Sequence, residues 1–310
     1  MISIAEHQPK TESRQLLWTP SELTDLPDLE WTWEHWLPKG EVVLLAAKQG
    51  SGKSTLTYQI SQAVADGEQL PDGSYADRGN VLYFDLEASP EAAGKRFREL
   101  GVKSESVHCC FLDGLPEGAS RLEFFLFLVK NGQYDLAVID SYRGLRVGDE
   151  MRADQTRETL DQLVAVAHEF STTILIVHHL NKQSSSKDEL DRVSGSSDLT
   201  ARPRIVWLMN REGRERTLKV AKSNLGPEPE PIQFEMEDGR LIPIEQPNAV
   251  SAIEDACSFL QSILANGPIP AQRAGSAAIK HGISKRTLER AKRLMRVNSE
   301  RRSDGWVWVR

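Results

Sequence analysis

The sequence is poor in cysteine and has no long apolar segment. Only three cysteines occur in 310 residues, two of them adjacent at Cys109 and Cys110, which excludes the disulfide framework of small secreted domains. The longest apolar run, residues 124–129, is far shorter than the ~20 residues of a transmembrane helix. The polar N-terminal residues also lack the apolar segment of a signal peptide. We therefore expect a cytoplasmic protein with reduced thiols that does not contact a membrane.

Charge is unevenly distributed along the chain. The 38 Lys and Arg against 45 Asp and Glu give a net charge of −7. Residues 249–310 contain 11 basic and 5 acidic side chains, a net charge of +6, which leaves −13 on the first 248 residues. A basic segment attached to an acidic remainder of the chain indicates that this segment binds a polyanion. The alternative is a solvated basic surface that binds no ligand.

From residue 40 onwards, apolar runs alternate with helical patterns, which predicts βαβ units and an open α/β sheet. The runs are continuous, as is typical of parallel strands covered on both faces. Predicted strands cover residues 42–46, 81–86, 107–112, 136–140 and 173–178, and predicted helices cover residues 54–66, 90–100, 121–130 and 157–170. Residues 204–210, 216–222 and 232–235 are joined by short polar turns. These segments predict antiparallel strands that extend the sheet.

The strongest motif is Ala-Lys-Gln-Gly-Ser-Gly-Lys-Ser-Thr at residues 47–55, between a predicted strand and a predicted helix. It is a Walker A loop with Ala in place of the first Gly. Its glycines let backbone N–H groups converge on phosphate oxygens, assisted by the helix N-terminus. Lys53 is expected to reach the β- and γ-phosphates of ATP, and Ser54 to ligate Mg²⁺. The predicted ATP-binding residues are Gly50, Ser51, Gly52, Lys53, Ser54 and Thr55.

Two carboxylates end neighbouring predicted strands. Asp140 follows an apolar strand, and in a P-loop fold such a carboxylate holds Mg²⁺, usually through water. Glu87 ends the strand that begins at residue 81, where a carboxylate can orient and deprotonate the attacking water. Asp85 lies on the same face of that strand and is the rival candidate. Solvated turn carboxylates are the alternative for both.

The next strand ends in the pair His178 and His179. Adjacent strand residues face opposite ways, and no Cys or carboxylate cluster stands nearby, so we predict a γ-phosphate sensor rather than a metal site. Polar segments follow Asp140 and the His pair, and they contain Arg143, Arg146 and Lys182. We expect these three side chains to contact nucleic acid, with solvated loops as the alternative.

Together these motifs resemble the RecA-like P-loop ATPases, specifically the RepA-type hexameric helicases of plasmids and phages. The resemblance covers residues 31–244, and it includes segments 37–45, 85–87, 139–143, 177–182, 204–208 and 220–227 beside the Walker A loop. It implies that Glu87 is the catalytic base, that His179 is the sensor, and that ATP lies between the subunits of a homo-oligomer, a hexamer in that family. A neighbouring subunit would supply a basic finger. Lys222 matches that element, with Arg211 and Arg204 as alternatives.

The basic C-terminal segment has a pattern of its own. Residues 251–265 and 269–280 read as helices, and Ser284 is a plausible N-cap for a third. In the third helix Leu288, Ala291, Leu294 and Met295 are predicted to be buried. The side chains expected to face outwards are Lys285, Arg286, Arg290, Lys292 and Arg293. With a hairpin over residues 299–309, the segment resembles a winged helix-turn-helix that binds duplex DNA. A basic module for packing or oligomerisation is the alternative.

The domain organisation that follows has three parts. Residues 1–30 are an extended lead-in, residues 31–245 a RecA-like ATPase domain, and residues 249–310 a winged-helix DNA-binding domain. Tryptophans cluster near the lead-in at positions 18, 31, 33 and 36. We expect them to pack on the ATPase domain rather than to form an aromatic binding motif.

The function expected from these features is a DNA-dependent ATPase with ATP and Mg²⁺ as cofactors. It would act as a replicative helicase-like motor of a mobile element, with single-stranded DNA at the ATPase ring. An ATP-switched DNA-binding regulator or helicase loader is one alternative. A small-molecule P-loop kinase is another, although no acceptor pocket or lid motif is visible.

Overall fold

The computed structural model describes residues 17–116, 118–145, 153–180, 190, 193, 198–244, 247–265, 267–283, 285–302 and 305–309. The chain divides into two compact units. One contains the residues up to Glu68 together with Tyr75–Ile242, and the other contains Gln69–Ser74 and Pro243–Arg310. Within the described ranges, no helix has both the length and the apolar character needed to cross a bilayer.

The first unit is built around a nine-stranded sheet. Its elements in chain order are α1 (Pro20–Thr24), β1 (Trp31–Trp33), β2 (Leu37–Pro38), β3 (Val42–Ala47), α2 (Lys53–Asp66), β4 (Val81–Asp85), α3 (Pro90–Leu100), β5 (Val107–Phe111), α4 (Arg121–Gly132), β6 (Leu136–Asp140), α5 (Ala153–Phe170), β7 (Thr173–His179), α6 (Asp198–Ala201), β8 (Ile205–Glu212), β9 (Glu215–Ser223), β10 (Ile232–Glu237) and β11 (Arg240–Pro243). The strand order is β11-β10-β9-β8-β3-β7-β6-β4-β5.

The predicted mainly parallel sheet with an antiparallel extension is confirmed. Strands β8, β3, β7, β6, β4 and β5 pair in parallel, and β8–β9 and β9–β10 pair in antiparallel fashion. Strands β3, β4, β6 and β7 are buried almost throughout, whereas the edge strand β5 is only partly buried. One face of the sheet packs against α4 and α5. Continuous apolar strands are therefore covered on both faces, as their sequence predicts.

The observed bounds of the helices and strands agree best with the predicted ones where the sequence has strong start and stop signals. Helix α3 spans the predicted residues because Ser89 caps its first turn, accepting a hydrogen bond from Ala92 N–H, and Gly101 ends it in the left-handed conformation at φ +73°. These are the ordinary start and stop signals of a helix. Helix α5 begins four residues before its predicted start at residue 157.

The expected extended lead-in over residues 1–30 is wrong for part of its length. Helix α1 forms at Pro20, where the Thr19 side chain accepts from Glu22 N–H and the Glu22 carboxylate accepts from Thr19 N–H. This reciprocal cap stabilises a short helix that buries none of its residues, so no apolar periodicity announces it. The strands β1, β2 and β11 were also not predicted, and each is four residues or shorter.

Three tryptophans pack together at the centre of the first unit. Trp33 and Trp36 stack with ring centroids 4.8 Å apart, and both meet the edge of Trp207 on β8, at 5.6 and 5.4 Å. All three are buried, whereas Trp18 is 45% exposed. The expected packing of the early tryptophans is thus confirmed for Trp33 and Trp36 and wrong for Trp18.

The second unit combines three helices with a small sheet. Its elements are α7 (Pro247–Leu264), β12 (Ile269–Pro270), α8 (Ala271–Lys280), α9 (Lys285–Leu294), β13 (Asn298–Arg302) and β14 (Gly305–Val309). The strands pair in antiparallel fashion in the order β12-β14-β13. Ala256, Leu260, Leu288, Ala291 and Trp308 are among the residues of its own apolar core.

Two expectations for α9 are wrong. Leu294 was expected in the core but is 64% exposed, because it is the last residue of the helix and lies beyond the packed face. Lys292 was expected to face outwards. Its ammonium instead lies 4.6 Å from the ring centroid of Trp308 and donates to the Ser299 hydroxyl at 2.8 Å. Its aliphatic stem covers the hairpin, as long basic side chains do at an apolar surface.

The tryptophan cluster gives a stability prediction. Trp207→Ala is expected to lower the free energy of unfolding by about 3–5 kcal/mol, because it removes a fully buried indole and leaves a cavity between two others. Trp18→Ala is the matched control and should change stability little. Denaturant titration followed by circular dichroism measures both, and equal midpoints for the two variants would contradict the role of the cluster.

Candidate active site

The carboxyl ends of β3, β7, β6 and β4 lie side by side at one edge of the sheet. The register places Ala47 opposite His179, and Asp85 opposite Asp140. Each of these strands is followed at this edge by a polar segment from the sequence motifs. The edge therefore brings together Lys53, Glu87, Asp140 and His179, which are far apart in the chain.

The Walker A loop runs from the end of β3 to the start of α2. Gly52 precedes the helix at φ +98°, and a Cβ there would lie 3.2 Å from Met236 Cε. Only glycine meets both constraints without strain. The buried Ser51 hydroxyl donates to the Lys48 carbonyl at 2.8 Å and so closes the loop on itself. Residues 50–55 thus form the end of this loop and the first turn of α2, and their binding of phosphate stays a prediction.

The Lys53 ammonium lies over its own loop. It donates to the carbonyl oxygens of Ala47 and Lys48, at 3.4 and 3.0 Å, and stands 3.3 Å from His179 Nδ1. Burial lowers the pKa of Lys53, and the charges of Asp140 and Glu87 oppose that effect. The side chain is held at the place where phosphate oxygens would approach the loop.

A continuous chain of contacts joins Lys53 to Glu87. The Nε2 atom of His179 lies 3.4 Å from Glu87 Oε1, and the Ser141 hydroxyl donates to the same oxygen. An imidazole can serve both neighbours when Nε2–H donates to Glu87 and Nδ1 accepts from Lys53. The hydrogen bond from His179, opposed by burial and assisted by Ser141, lowers the pKa of Glu87 to about 2. Glu87 is therefore a carboxylate at neutral pH, the form that can accept a proton.

Asp140 is buried at the end of β6. Burial raises its pKa, while hydrogen bonds from Ser54 and Tyr83 act in the opposite direction. The Tyr83 hydroxyl donates to Asp140 Oδ2 at 2.9 Å and is itself 2.7 Å from Thr57 Oγ1. The Asp140 carboxylate and the Ser54 hydroxyl supply only oxygen atoms, the ligands that Mg²⁺ prefers. They fit a magnesium ion whose other ligands are phosphate oxygens and water.

No group of three or more His, Cys, Asp or Glu side chains in the described part of the chain is arranged to hold a metal on its own. A magnesium ion that arrives with a nucleotide needs only one or two protein oxygens.

Asp85, the rival to Glu87, has a different task. Its Oδ2 accepts from the Tyr58 hydroxyl at 2.6 Å, and its Oδ1 accepts from the N–H groups of Glu87 and Ala88, at 3.1 and 2.8 Å. Asp85 is buried and holds the turn that carries Glu87. Sequence reasoning missed Tyr58 and Tyr83, whose only signal is a hydroxyl on an otherwise apolar buried segment.

The predicted finger residue Lys222 is bound within its own chain. Its ammonium donates to the carbonyl oxygens of Thr200, Ala201 and Pro203, at 2.8, 2.7 and 2.9 Å. These three bonds use all three protons of the ammonium at the end of α6. Arg204 is exposed beside it. Arg211, the other alternative, contacts the Gly50 carbonyl of its own Walker A loop at 3.1 Å.

The predicted nucleic-acid contacts are only partly within the described residues. Arg143 is exposed in the short 3₁₀ turn Tyr142–Leu145, just after the cis peptide bond between Asp140 and Ser141. Arg293 is exposed in the last turn of α9. Arg146 and Lys182 lie outside the described residues, as do the side chains of Lys285, Arg286 and Arg290, although their backbone belongs to α9.

A family model described as "AAA domain" matches residues 8–185. The match covers more than half of the chain. The chain belongs to this AAA-domain family. The matched segment includes the Walker A loop, Glu87, Asp140 and His179, so the family region contains the whole candidate site.

Curated relatives and solved structures agree with this assignment. The chain is 27% identical over 230 residues to the DNA repair protein RadA of Aquifex aeolicus, covering 71% of this chain and 45% of that protein. It is 24% identical over 223 residues to the protein RecA of Campylobacter lari, covering 64% and 60%. The chain thus spans about half the length of the curated relatives it matches.

The ATPase domain of G40P superposes with a TM-score of 0.54 at 14% identity, covering 73% of this AAA-domain protein and 95% of that chain. At that identity the likeness concerns the fold. The first unit is a RecA-like α/β core with a mixed sheet, as the sequence predicts.

The contact between Tyr83 and Asp140 gives a prediction about metal affinity. Tyr83→Phe is expected to raise the Mg²⁺ concentration needed for nucleotide binding by about tenfold, because it removes a hydroxyl that orients the Asp140 carboxylate, the predicted Mg²⁺ ligand. The measurement is a Mg²⁺ titration of the binding of a fluorescent ATP analogue. Tyr134→Phe, at the opposite end of β6, is the control, and equal Mg²⁺ requirements in the two variants would contradict the orienting role.

Proposed function

We propose that this protein is a Mg²⁺-dependent ATPase of the RecA fold whose hydrolysis depends on DNA. The observation that carries the proposal is the chain of contacts from Lys53 through His179 to Glu87 and Ser141 at the edge of the sheet. It joins a phosphate-binding cation, a polar sensor and an ionised carboxylate within one site. Such a set is what transfer of a phosphoryl group to water requires.

In the proposed mechanism, Lys53 and the N–H groups of the Walker A loop bind the phosphates and offset their charge. A bound magnesium ion would supply further charge neutralisation, held by Ser54 and Asp140. Glu87 orients the attacking water and accepts its proton. His179 contacts both Lys53 and Glu87, so movement of the lysine towards a phosphate is transmitted to the base.

The finer assignment is a replicative helicase-like motor of a mobile element, acting as a homo-oligomer with ATP between its subunits. Support comes from the names of the relatives, a DNA repair protein and RecA, and from the fold shared with the G40P ATPase domain. A hexamer and a cytoplasmic location are part of this proposal. So is a basic finger supplied in trans. The Lys222 ammonium is bound to three carbonyls and Arg211 contacts the Gly50 carbonyl of its own chain, so the exposed Arg204 is the candidate that this proposal prefers.

An ATP-switched DNA-binding regulator or helicase loader is the second candidate. The observation that favours it is the low pKa of Glu87, about 2, which results chiefly from the hydrogen bond of His179. A carboxylate with so low a pKa is a weak proton acceptor at neutral pH. Slow turnover would suit a switch better than a motor.

We further propose that residues 249–310 form a winged-helix DNA-binding domain, separate from an ATPase domain over residues 31–245. Three helices followed by a two-stranded hairpin support this reading. Exposed Arg293 on α9 and exposed Arg301 on β13 supply positive charge for phosphate contacts, whereas Arg302 is paired with Glu300 at 3.5 Å. Duplex DNA is the partner that fits this arrangement, and single-stranded DNA is assigned to the ATPase domain.

The proposed mechanism predicts different losses for two substitutions. Lys53→Ala should abolish both nucleotide binding and turnover. Glu87→Gln should lower turnover by roughly 10²-fold or more while nucleotide binding is retained, since general base catalysis contributes about 10²–10⁴-fold. Glu91→Gln, an exposed carboxylate on α3, is the matched control.

The assay measures phosphate release without DNA, with single-stranded DNA and with duplex DNA. Stimulation by single strands that disappears in Glu87→Gln would support the motor. Slow hydrolysis that is not stimulated by DNA would support the switch. Hydrolysis by Lys53→Ala at the wild-type rate would contradict the assignment as an ATPase.

The pH dependence of hydrolysis follows from two opposite pKa shifts. The pKa of Glu87 is lowered to about 2, so this carboxylate stays ionised as the pH falls through the weakly acidic range. The pKa of Asp140 is raised by burial, so its protonated form appears at higher pH than for an ordinary carboxyl group. The loss of hydrolysis at acidic pH should therefore reflect protonation of Asp140. Because a metal competes with the proton, the midpoint of this loss should move to lower pH by up to ~1 pH unit for each tenfold increase in Mg²⁺ concentration. A midpoint that does not move with Mg²⁺ would contradict this assignment.

A further inference from the structure

The hairpin formed by β8 and β9 lies beside the Walker A loop of the same chain. Strands β3 and β8 are parallel neighbours, with Ala47 opposite Met209. Both strands end at the same edge of the sheet, so the segments that follow them are adjacent. The Walker A loop, which follows Ala47, therefore lies beside the part of the hairpin that follows Met209.

Two arginines of this hairpin donate to carbonyl oxygens of the loop. Arg211 Nη1 donates to the Gly50 carbonyl at 3.1 Å, and Arg216 Nε donates to the Ser51 carbonyl at 2.9 Å. Both guanidinium groups also donate to the Gly213 carbonyl, from Arg211 at 3.3 Å and from Arg216 at 3.0 Å. The hairpin turn and the Walker A loop are thus tied together by charge-assisted hydrogen bonds, which are stronger than neutral ones.

The direction of these bonds suits phosphate binding. A loop that binds phosphates turns its N–H groups inwards, which leaves carbonyl oxygens pointing outwards. Arg211 and Arg216 satisfy two of those outward carbonyls. They therefore stabilise the loop in the conformation that presents its N–H groups to an anion, without occupying the anion site.

The arginines are held together at an electrostatic cost. They are directly opposite each other across the hairpin, where like charges are destabilising. Arg216 is only 4% exposed, and in the described part of the chain neither guanidinium forms an ion pair with a carboxylate. Burial of the Arg216 charge beside the like charge of Arg211, without a counter-ion, is favourable only where strong acceptors, or an anion nearby, compensate. The loop carbonyls provide the acceptors, and nucleotide phosphates would provide the anion.

The rest of the antiparallel extension contacts the same region. The side chains of Met209, Met236 and Leu241 surround Gly52, at 3.2–3.6 Å from the position that a Cβ would take. Gln59 on α2 exchanges two hydrogen bonds, each 3.0 Å, with the backbone of Leu241 on β11. The loop and the first turns of its helix are therefore supported on one side by β8–β11.

We propose that Arg216, assisted by Arg211, is a positioning residue that holds the Walker A loop of its own subunit in the phosphate-binding conformation. The inference deepens the proposed ATPase function and rests on it. It assigns Arg211 a role within its own subunit, where the sequence resemblance offers it as a finger for a neighbouring one.

The first test is equilibrium binding of a fluorescent ATP analogue with Mg²⁺ to the full-length protein. Arg216→Ala is expected to weaken binding by about tenfold or more, in line with the loss of a hydrogen bond from a charged group. Arg211→Ala, which removes one exposed contact, should weaken it by about threefold, and Arg216→Lys should fall between Arg216→Ala and wild type. Arg214→Ala is the matched control, because Arg214 is an exposed arginine of the same turn and its loss changes the charge equally.

Folding and binding are separated by thermal melting of each variant. If Arg216→Ala does not fold, Arg211→Ala and Arg216→Lys carry the test, since one removes an exposed side chain and the other keeps the charge. Weaker binding with a wild-type melting temperature in either variant supports the inference. Binding equal to that of Arg214→Ala in both overturns it. If wild type itself fails to bind ATP, the proposed function fails, whereas unaltered binding by the variants alone removes only the positioning role.

A mixing experiment tests whether the arginines act within one subunit. Lys53→Ala protein is mixed with Arg216→Ala or with Arg211→Ala protein, and ATP turnover is measured. If the arginine acted on the site of a neighbouring subunit, mixed oligomers would contain sites with Lys53 from one variant and the arginine from the other. Turnover would then recover. The positioning role predicts no recovery together with the binding losses above, and recovery in either mixture overturns it.

Discussion

The parallel pairing of β3, β7, β6 and β4 is the constraint on which the site depends. Side chains on a strand alternate between faces, so a slip of one residue in any of these pairs would turn His179 or Asp140 away from the Walker A loop. The register is fixed by continuous apolar strands, buried on both faces between helices. Burial of the sheet therefore determines the geometry at its edge.

That burial has a consequence for the polar groups under the edge. Asp85 and Asp140 are carboxylates in an apolar surrounding, where an unpaired charge would be very unfavourable. Tyr58 donates to one and Tyr83 to the other, and Thr57 contacts Tyr83 in turn. The two phenols satisfy the carboxylates without adding charge, and they fix where each carboxylate points. The carboxylates at the edge of the sheet are consequently supported by uncharged hydroxyl donors, Tyr58 for Asp85 and Tyr83 for Asp140.

The sequence was most informative where a residue's role depends on its neighbours in the chain. The Walker A loop, the bounds of α3 and the strand-end positions of Glu87 and Asp140 are local signals, and a parallel sheet converts them into proximity. The roles of Tyr83 and Arg216 depend on partners 57 and 165 residues away in the chain, so no local pattern reveals them. Lys222 illustrates the same limit, because its predicted role did not take account of contacts with distant residues of its own chain. A basic residue at a matching position becomes a cap for α6 because three carbonyls are within reach of its ammonium.

The same edge also joins the base of the Walker A loop to the end of β7. Leu180, which follows His179, donates its N–H to the Ala47 carbonyl at the base of the Walker A loop, and it forms a bridge with Val193. The chain therefore leaves β7 and returns to it beside the residues that contact Lys53. Lys53 donates to the Ala47 carbonyl as well, so this oxygen accepts hydrogen bonds from both the Lys53 ammonium and the Leu180 N–H. One carbonyl oxygen thus links the lysine of the Walker A loop to the end of β7.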